Sequence, residues 1–150
     1  MKRLLLLLVL TSALAACNKD KFKTVPQVSI DSFGPAEVRK GDIMQLTATI
    51  TDQEGDVQDS VTIVKKRYNG STFLNADTVK VSLRGLGAPA KRKTELRILI
   101  SYGEIRPEYT QFQNLETFAD RNFAVGLIVK DNAGNKSEFV ESDKILLKKF

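Results

Sequence analysis

Apolar and polar residues alternate in several short runs that begin after Pro26. The clearest run follows Lys40-Gly41-Asp42, where apolar Met44, Leu46, Ala48 and Ile50 are separated by polar Gln45, Thr47 and Thr49. A period of two residues is typical of a β-strand that buries one face and turns the other towards water. This run therefore predicts a strand whose apolar side chains lie in a hydrophobic core.

The same pattern predicts seven strands in all, at residues 28–33, 44–50, 60–68, 72–83, 96–102, 123–129 and 136–147. Asn69-Gly70 separates the third strand from the fourth and favours a two-residue hairpin turn, because both residues tolerate positive φ. No long helical pattern interrupts the series. Seven short strands joined by turns predict an all-β fold, built as a single β-sandwich.

The first 17 residues follow a different pattern. Lys2 and Arg3 form a positive start, residues 4–10 are all apolar, and small residues lead to Cys17, which is the layout of a secretory signal. A membrane-spanning helix needs about 20 apolar residues. Residues 4–16 number only 13, with Thr11 and Ser12 among them, so this segment is too short to remain as a span.

Leu14-Ala15-Ala16-Cys17 resembles the lipobox of bacterial lipoproteins. The resemblance implies that the Cys17 thiol carries acyl chains such as palmitate, that the chain is cleaved before Cys17, and that lipid holds the protein in a membrane. Asn18 in place of an aspartate implies the outer membrane. Lys19-Asp20-Lys21 differs from the acid-rich surface-export signal of lipoproteins of the Bacteroidota type, so the periplasmic face and the cell surface both stay open. The expected organisation is a signal peptide at 1–16, a lipidated tether at 17–25 and one domain at 26–150.

Two turn segments carry a second resemblance. Residues 40–56, which begin with Lys40-Gly41-Asp42, and residues 129–135, which contain Asp131-Asn132-Ala133-Gly134-Asn135, are similar to segments of bacterial immunoglobulin-like, fibronectin-III-like and cadherin-like domains. The resemblance implies a seven-strand immunoglobulin-like β-sandwich. These motifs are shared across many domains of different activity, so they imply the fold and no particular function.

The composition removes several classes of chemistry. The chain has no histidine, and its only cysteine is Cys17, which excludes Ser-His-Asp and Cys-His catalysis, the usual zinc sites and an intrachain disulfide. Without Lys2 and Arg3, the 23 basic residues become 21 against 18 acidic ones, a net charge of +3 for residues 17–150. An exported protein with so small a charge excess is not expected to bind nucleic acid. We expect no catalytic activity and no cofactor.

Calcium is the metal for which the sequence offers candidate ligands. Asp52, Glu54 and Asp56 are spaced two apart, and the loops after the second and sixth predicted strands should share one pole, which would add Asp131, Asn132 and Asn135. Aspartate, asparagine and glycine are also ordinary turn formers. The basic Lys91-Arg92-Lys93 loop should reach the same pole and could neutralise the acids instead of a metal. The sequence therefore assigns no metal ligand.

Residues 103–120 join the fifth and sixth predicted strands and should project at the opposite pole. Tyr109, Phe112, Leu115 and Phe118 recur every third residue, which would form one apolar face if the segment turned helically. That face would either cap the open end of the sandwich or bind a partner, and Tyr109, Phe112 and Phe118 are the candidate partner-binding residues. The expected function is a membrane-anchored, non-catalytic envelope lipoprotein that binds protein or glycan or supports envelope assembly. The alternative is an accessory module of a polysaccharide-uptake or calcium-dependent adhesion system.

Overall fold

A computed structural model describes residues 23–84, 91–104 and 118–149, and these residues form nine β-strands and no helix. The strands are β1 (Gln27–Gly34), β2 (Glu37–Val38), β3 (Ile43–Thr51), β4 (Ser60–Asn69), β5 (Thr72–Ser82), β6 (Lys93–Ser101), β7 (Arg121–Lys130), β8 (Val140–Glu141) and β9 (Ile145–Leu147). Within these ranges, nothing has the helical length and apolarity that crossing a bilayer requires. The signal segment and Cys17 lie outside the described residues.

The strands form two sheets that enclose one core. One sheet has the order β1-β3-β6, and the other has the order β2-β9-β7-β4-β5 with β8 paired to β7. All pairs are antiparallel except β2 with β9. The chain crosses between the sheets after β1, β2, β3, β5 and β6, and with β2 as a short edge strand this is the connectivity of an immunoglobulin-like sandwich. The predicted all-β, two-sheet fold is confirmed.

Alternating side chains of both sheets build the core. The four apolar residues of the β3 run are at most 2% exposed, as the alternation predicts. They face fully buried residues of the second sheet, including Phe123 and Leu127 of β7. Phe33 of β1 meets Phe123 with 6.0 Å between ring centroids, so an aromatic contact also links the two sheets.

The predicted hairpin between the third and fourth strands is confirmed, but its turn lies one residue further along. Asn69 pairs with Thr72, so the two turn residues are Gly70 and Ser71. Gly70 has φ of 61°, while no non-glycine residue in the described ranges has positive φ. Glycine is favoured at the first central position of such a turn because it has no Cβ to clash there.

The prediction of one continuous seventh strand at 136–147 is wrong. Lys136 makes an isolated bridge to Lys130, and only β8 and β9 follow. Ser137 precedes β8 and Ser142 follows it, and the Oγ atoms of these serines accept hydrogen bonds from backbone N–H groups of β7, at 2.9 and 3.0 Å. Serine side chains thus replace backbone partners along this edge of β7, and they break the regular ladder. With the short strand β2, this break makes nine strands instead of seven.

Candidate functional site

Three aspartates converge at the pole where β3 and β7 end. Asp52 follows β3 directly, Asp131 follows β7 directly, and Asp56 lies in the loop between β3 and β4. One carboxylate oxygen from each residue lies within 4.8 Å of the others. The backbone N–H of Asn132 donates to the carbonyl of Asp56 at 3.1 Å, which ties the two loops together. The prediction that these loops share a pole is confirmed.

Local turn chemistry orients these carboxylates. Oδ2 of Asp52 accepts hydrogen bonds from the N–H groups of Gly55 and Asp56, at 2.8 and 3.3 Å. Oδ1 and Oδ2 of Asp131 accept from the backbone N–H and the side-chain amide of Asn135, at 2.7 and 2.8 Å. Both arrangements are turns closed by an aspartate side chain, as the turn-former alternative expected. Turn formation therefore accounts for part of the hydrogen-bonding capacity of the carboxylates.

The remaining predicted site residues of this pole are exposed, and one of them supports the cluster. Glu54 and Asn132 are exposed, and the Glu54 carboxylate does not belong to the converging group. Asn135 contacts Asp131 and so supports the cluster from outside it. The sequence spacing of Asp52, Glu54 and Asp56 placed all three together, but the turn at Gly55 sends the middle residue towards solvent.

The cluster is buried and electrostatically unfavourable. Asp52 is 0% exposed and Asp131 is 1% exposed. Burial, a hydrogen bond with Asp52 and the charges of Asp131 and Asp52 all raise the pKa of Asp56 above its ordinary value. Oδ1 of Asp52 and Oδ1 of Asp56 are buried and have no hydrogen-bond partner among the described residues.

The basic loop and the tether reach the same pole through their backbones. The N–H of Asp52 donates to the carbonyl of Arg92 at 3.0 Å, and the N–H of Gln53 donates to the carbonyl of Lys23 at 2.9 Å. Lys91, Arg92 and Lys93 are exposed. No ion pair of the described residues involves Asp52, Asp56 or Asp131, so the alternative in which basic side chains neutralise these acids is not seen there.

The described ends of the predicted partner segment, residues 103–104 and 118–120, lie at the opposite pole, whereas residues 105–117 fall outside the described residues. Tyr109 and Phe112 lie outside the described residues, so the apolar helical face expected for this segment stays a prediction. Phe118 is described and is 92% exposed. Its neighbour Asp120 accepts hydrogen bonds from Nζ of Lys148 and from the N–H of Lys149, and these contacts lower the pKa of Asp120.

A second group of residues covers the outer face of the six-stranded sheet. Tyr68 of β4 points away from the core, because Val61 and Ile63 occupy the inward positions of the same strand. Its ring meets Phe73 of β5 edge to face, with 5.8 Å between centroids. Phe139 lies across the same face, and a Cβ built on Gly126 would approach its ring to 2.2 Å. Phe73 is 53% exposed and Phe139 is 42% exposed. We call Tyr68, Phe73 and Phe139 the outer aromatic group.

Charged side chains fix the outer aromatic group in place. The Tyr68 hydroxyl donates to Oε1 of Glu141 at 2.6 Å, and Nζ of Lys66 donates to Oε2 of the same carboxylate. The hydrogen bond to Glu141 is the main cause that raises the pKa of Tyr68 to about 12. Burial acts to raise the pKa of Glu141, but the hydrogen bonds from Lys66 and Tyr68 and the charges of Lys66 and Lys144 hold it below its ordinary value.

Two cation–π contacts complete this surface. Nζ of Lys144 lies 3.8 Å from the centroid of the Tyr68 ring, and Nζ of Lys66 lies 4.6 Å from that of Phe139. Sequence reasoning missed this surface. Tyr68 and Phe73 flank the predicted hairpin and could have been paired from it, whereas the position of Phe139 depends on the irregular course of residues 131–140.

No protein-family model matches the sequence, and no curated protein matches it. Among solved structures, the chain is similar to the sporulation control protein Spo0M from Bacillus subtilis, with 9% identity and a TM-score of 0.43 over 84% of this chain and 50% of that one. It is similar to a β-glucosidase from Listeria innocua, with 10% identity and a TM-score of 0.37 over 83% of this chain and 16% of that one. It is also similar to the CARDB domain of a Pyrococcus furiosus protein solved in complex with di-metal ions, with 11% identity and a TM-score of 0.32 over 88% of this chain and 95% of that one.

The chain spans half the length of the sporulation control protein and a small part of the β-glucosidase. At these low TM-scores, the likenesses carry no argument about this chain. Its function must be inferred from the geometry of its own surfaces.

Proposed function

We propose that this protein is a non-catalytic lipoprotein of the outer membrane, and that its immunoglobulin-like domain binds a protein partner through the outer aromatic group. The observation that carries the proposal is the exposure of Phe73 and Phe139 on a sheet face where charged neighbours hold the rings in place. Aromatic side chains on a rigid scaffold supply much of the free energy of protein association.

The neighbouring sheet edge supports a protein partner. β5 pairs with β4 along one side, and within the described residues no strand pairs with its other side. It is an 11-residue strand, and Leu74 beside Phe73 is 47% exposed. An open strand edge offers backbone hydrogen bonds to an extended segment of another chain. The exposed residues are phenylalanine and leucine, and the chain has no tryptophan, which favours a protein over a glycan.

The tether gives the domain an orientation in this proposal. The backbone contact between Lys23 and Gln53 supports entry of the tether at the pole with the three aspartates. Residues 17–25 reach at most about 30 Å when extended. That pole therefore faces the membrane, while the outer aromatic group lies on the side of the sandwich and stays accessible.

Lipid attachment at Cys17 is the first expected result. Replacement of Cys17 with serine should abolish incorporation of radiolabelled palmitate and release the chain from the membrane fraction, because the chain has no other thiol. Two or three acyl chains, at about 0.8 kcal/mol for each buried CH₂, form a durable anchor. The matched control is Asn18→Ser, which leaves the lipobox intact and should be labelled like the wild type. Palmitate labelling that persists in Cys17→Ser would disprove the anchor. So would signal cleavage that continues in the presence of globomycin, which blocks cleavage of lipoprotein signals.

Partner binding is tested by site-specific photo-crosslinking in intact cells. A photoreactive phenylalanine analogue at position 73 or 139 should yield the same adduct, while the analogue at exposed Ser29 of β1 on the other sheet should yield none. In the chain carrying the analogue at 139, Phe73→Ala should lower the adduct yield about tenfold, the effect of losing a contact of about 1.4 kcal/mol.

The photoreactive analogue placed at position 118 distinguishes this proposal from binding through the predicted partner segment at 103–120. Phe118 is more exposed than any of the three rings of the outer aromatic group, so exposure alone would favour it. An adduct formed only at position 118 would refute the outer-face surface and support the segment at 103–120. A glycan partner would leave positions 73 and 139 without a protein adduct and would refute the proposal as well.

A further inference from the structure

We propose that Asp52, Asp56 and Asp131 form a binding site for a divalent cation of the calcium class at the membrane-facing pole of the domain. The site joins two loops from different sheets, and it is independent of the outer aromatic group.

The first step is the hydrogen bonding of the buried carboxylate oxygens. Asp52 is fully buried, and its Oδ1 has no hydrogen-bond partner among the described residues, although its Oδ2 has two. In the same part of the chain, Oδ1 of Asp56 is also buried without a partner. Buried polar atoms in folded proteins nearly always have a partner, so two such oxygens in one cluster require an explanation. A water molecule could donate to them, but it would not offset three neighbouring negative charges.

The second step is the spacing. Calcium binds oxygen at about 2.3–2.6 Å, so two ligand atoms on opposite sides of one ion lie roughly 5 Å apart. The converging oxygens of the three aspartates lie within 4.8 Å of one another, which fits a single ion. Hydrogen bonds from Asn135 engage both oxygens of Asp131, but each carboxylate oxygen has two lone pairs and can still bind a cation. Asn135 then orients Asp131 as an outer-shell partner.

The third step is the chemical class of the ion. An all-carboxylate set is hard and favours calcium, magnesium or manganese over zinc or copper, which prefer nitrogen and sulfur. Magnesium requires a nearly ideal octahedron at about 2.0–2.1 Å and usually keeps several waters. The flexible coordination of calcium tolerates ligands from separate loops better, so calcium is the preferred ion.

The fourth step is charge. The ion pairs at this pole engage a different acid, Asp59, which contacts Arg84 and Lys130 at 2.6 and 3.4 Å. No ion pair of the described residues offsets the three converging carboxylates of the cluster, so these carboxylates repel one another when ionised. A divalent cation would relieve this repulsion and would fasten the ends of β3 and β7 where the tether and the β6 loop also attach.

The test is a titration of the full chain in detergent with calcium chloride alone, followed by calorimetry and by thermal melting. Extracellular calcium modules bind with Kd of about 0.1–1 mM. At about 10 mM calcium and neutral pH, we expect saturable binding and a rise in Tm on the order of 10 °C, which a chelator reverses. Magnesium should produce a smaller shift.

Two variants and one control make the result specific to the site. Asp52→Asn and Asp131→Asn should each abolish the calcium-dependent rise in Tm. Without calcium, Asp52→Asn should melt at or above the temperature of the wild type, because it removes one of the repelling charges. Asp59→Asn removes an acid of the same pole outside the cluster and should keep the full calcium response.

Three outcomes would overturn the site. The first is a wild-type chain that neither binds calcium nor changes its Tm at about 10 mM. The second is an Asp52→Asn chain that responds to calcium like the wild type. The third is a cluster held by a shared proton, in which the wild-type Tm rises as the solution is acidified and calcium has no effect at any pH.

Discussion

Phe123→Ala is expected to reduce the free energy of unfolding by about 3–5 kcal/mol, the usual cost of removing a buried aromatic side chain. Phe123 is fully buried between the sheets and contacts Phe33, so its truncation leaves a cavity and removes an aromatic contact. Domains of this size are stabilised by only about 5–15 kcal/mol, so the loss is a large share of the total. Urea denaturation monitored by circular dichroism measures it, with the midpoint shifting and the m-value unchanged.

Phe118→Ala is the matched control for this substitution. The residue type and the change are identical, but Phe118 is 92% exposed. Its replacement should change the free energy of unfolding by no more than about 0.5 kcal/mol. Equal losses in the two variants would show that Phe118 packs against the domain and would contradict the description of this pole.

Gly55→Ala is expected to reduce the free energy of unfolding by roughly 2–5 kcal/mol, through two separate costs. Gly55 has φ of 72°, a conformation that costs an L-residue about 1–2 kcal/mol. Its added Cβ would also lie 3.0 Å from the carbonyl carbon of Lys91 and 3.2 Å from the nitrogen of Arg92. Backbone atoms cannot rotate away as a flexible side chain can, so this crowding adds about 1–3 kcal/mol.

Gly70→Ala separates these two costs. Gly70 has a similar φ of 61°, but nothing lies within 4 Å of a Cβ added there. It should therefore show only the conformational cost, and urea denaturation of both variants yields the steric part by subtraction. A Gly55→Ala chain no less stable than the Gly70→Ala chain would mean that the loop before β6 moves aside freely.

Local periodicity predicted most of the strands correctly, and the reason is geometric. Successive side chains of a strand point to opposite faces, so the run from Met44 to Ile50 reports both its conformation and its buried face without reference to distant residues. The β4–β5 hairpin was predicted for the same reason, because Gly70 specifies a tight turn between adjacent strands. Its exact turn residues depended on register, which the dipeptide alone does not determine.

The break in the last predicted strand required the folded structure. Residues 136–147 contain enough apolar positions to resemble a strand, but Ser137 and Ser142 bind backbone groups of β7 that a regular ladder would have used. A serine can face solvent or bind a neighbouring backbone, and only the position of β7 decides between the two.

The acidic pole was predicted in part. The spacing of Asp52, Glu54 and Asp56 indicated an acidic loop, and the sandwich topology correctly brought Asp131 to it. The sequence did not show that Glu54 would face solvent, or that one oxygen of Asp52 would be buried without a partner. Those facts follow from the left-handed turn at Gly55 and from the packing of two loops.

The sequence by itself determined the β-strand pattern and the absence of histidine chemistry, because each depends on residues close together in the chain or on composition. The lipobox at Cys17 is likewise a local pattern, and lipid attachment there stays a prediction. Only the tertiary structure decided which side chains meet across the fold. Tyr68 and Glu141 are 73 positions apart, yet their hydrogen bond helps to build the outer aromatic group. Contacts at such separations depend on how the sheets and loops close around the core, and local periodicity carries no information about that closure.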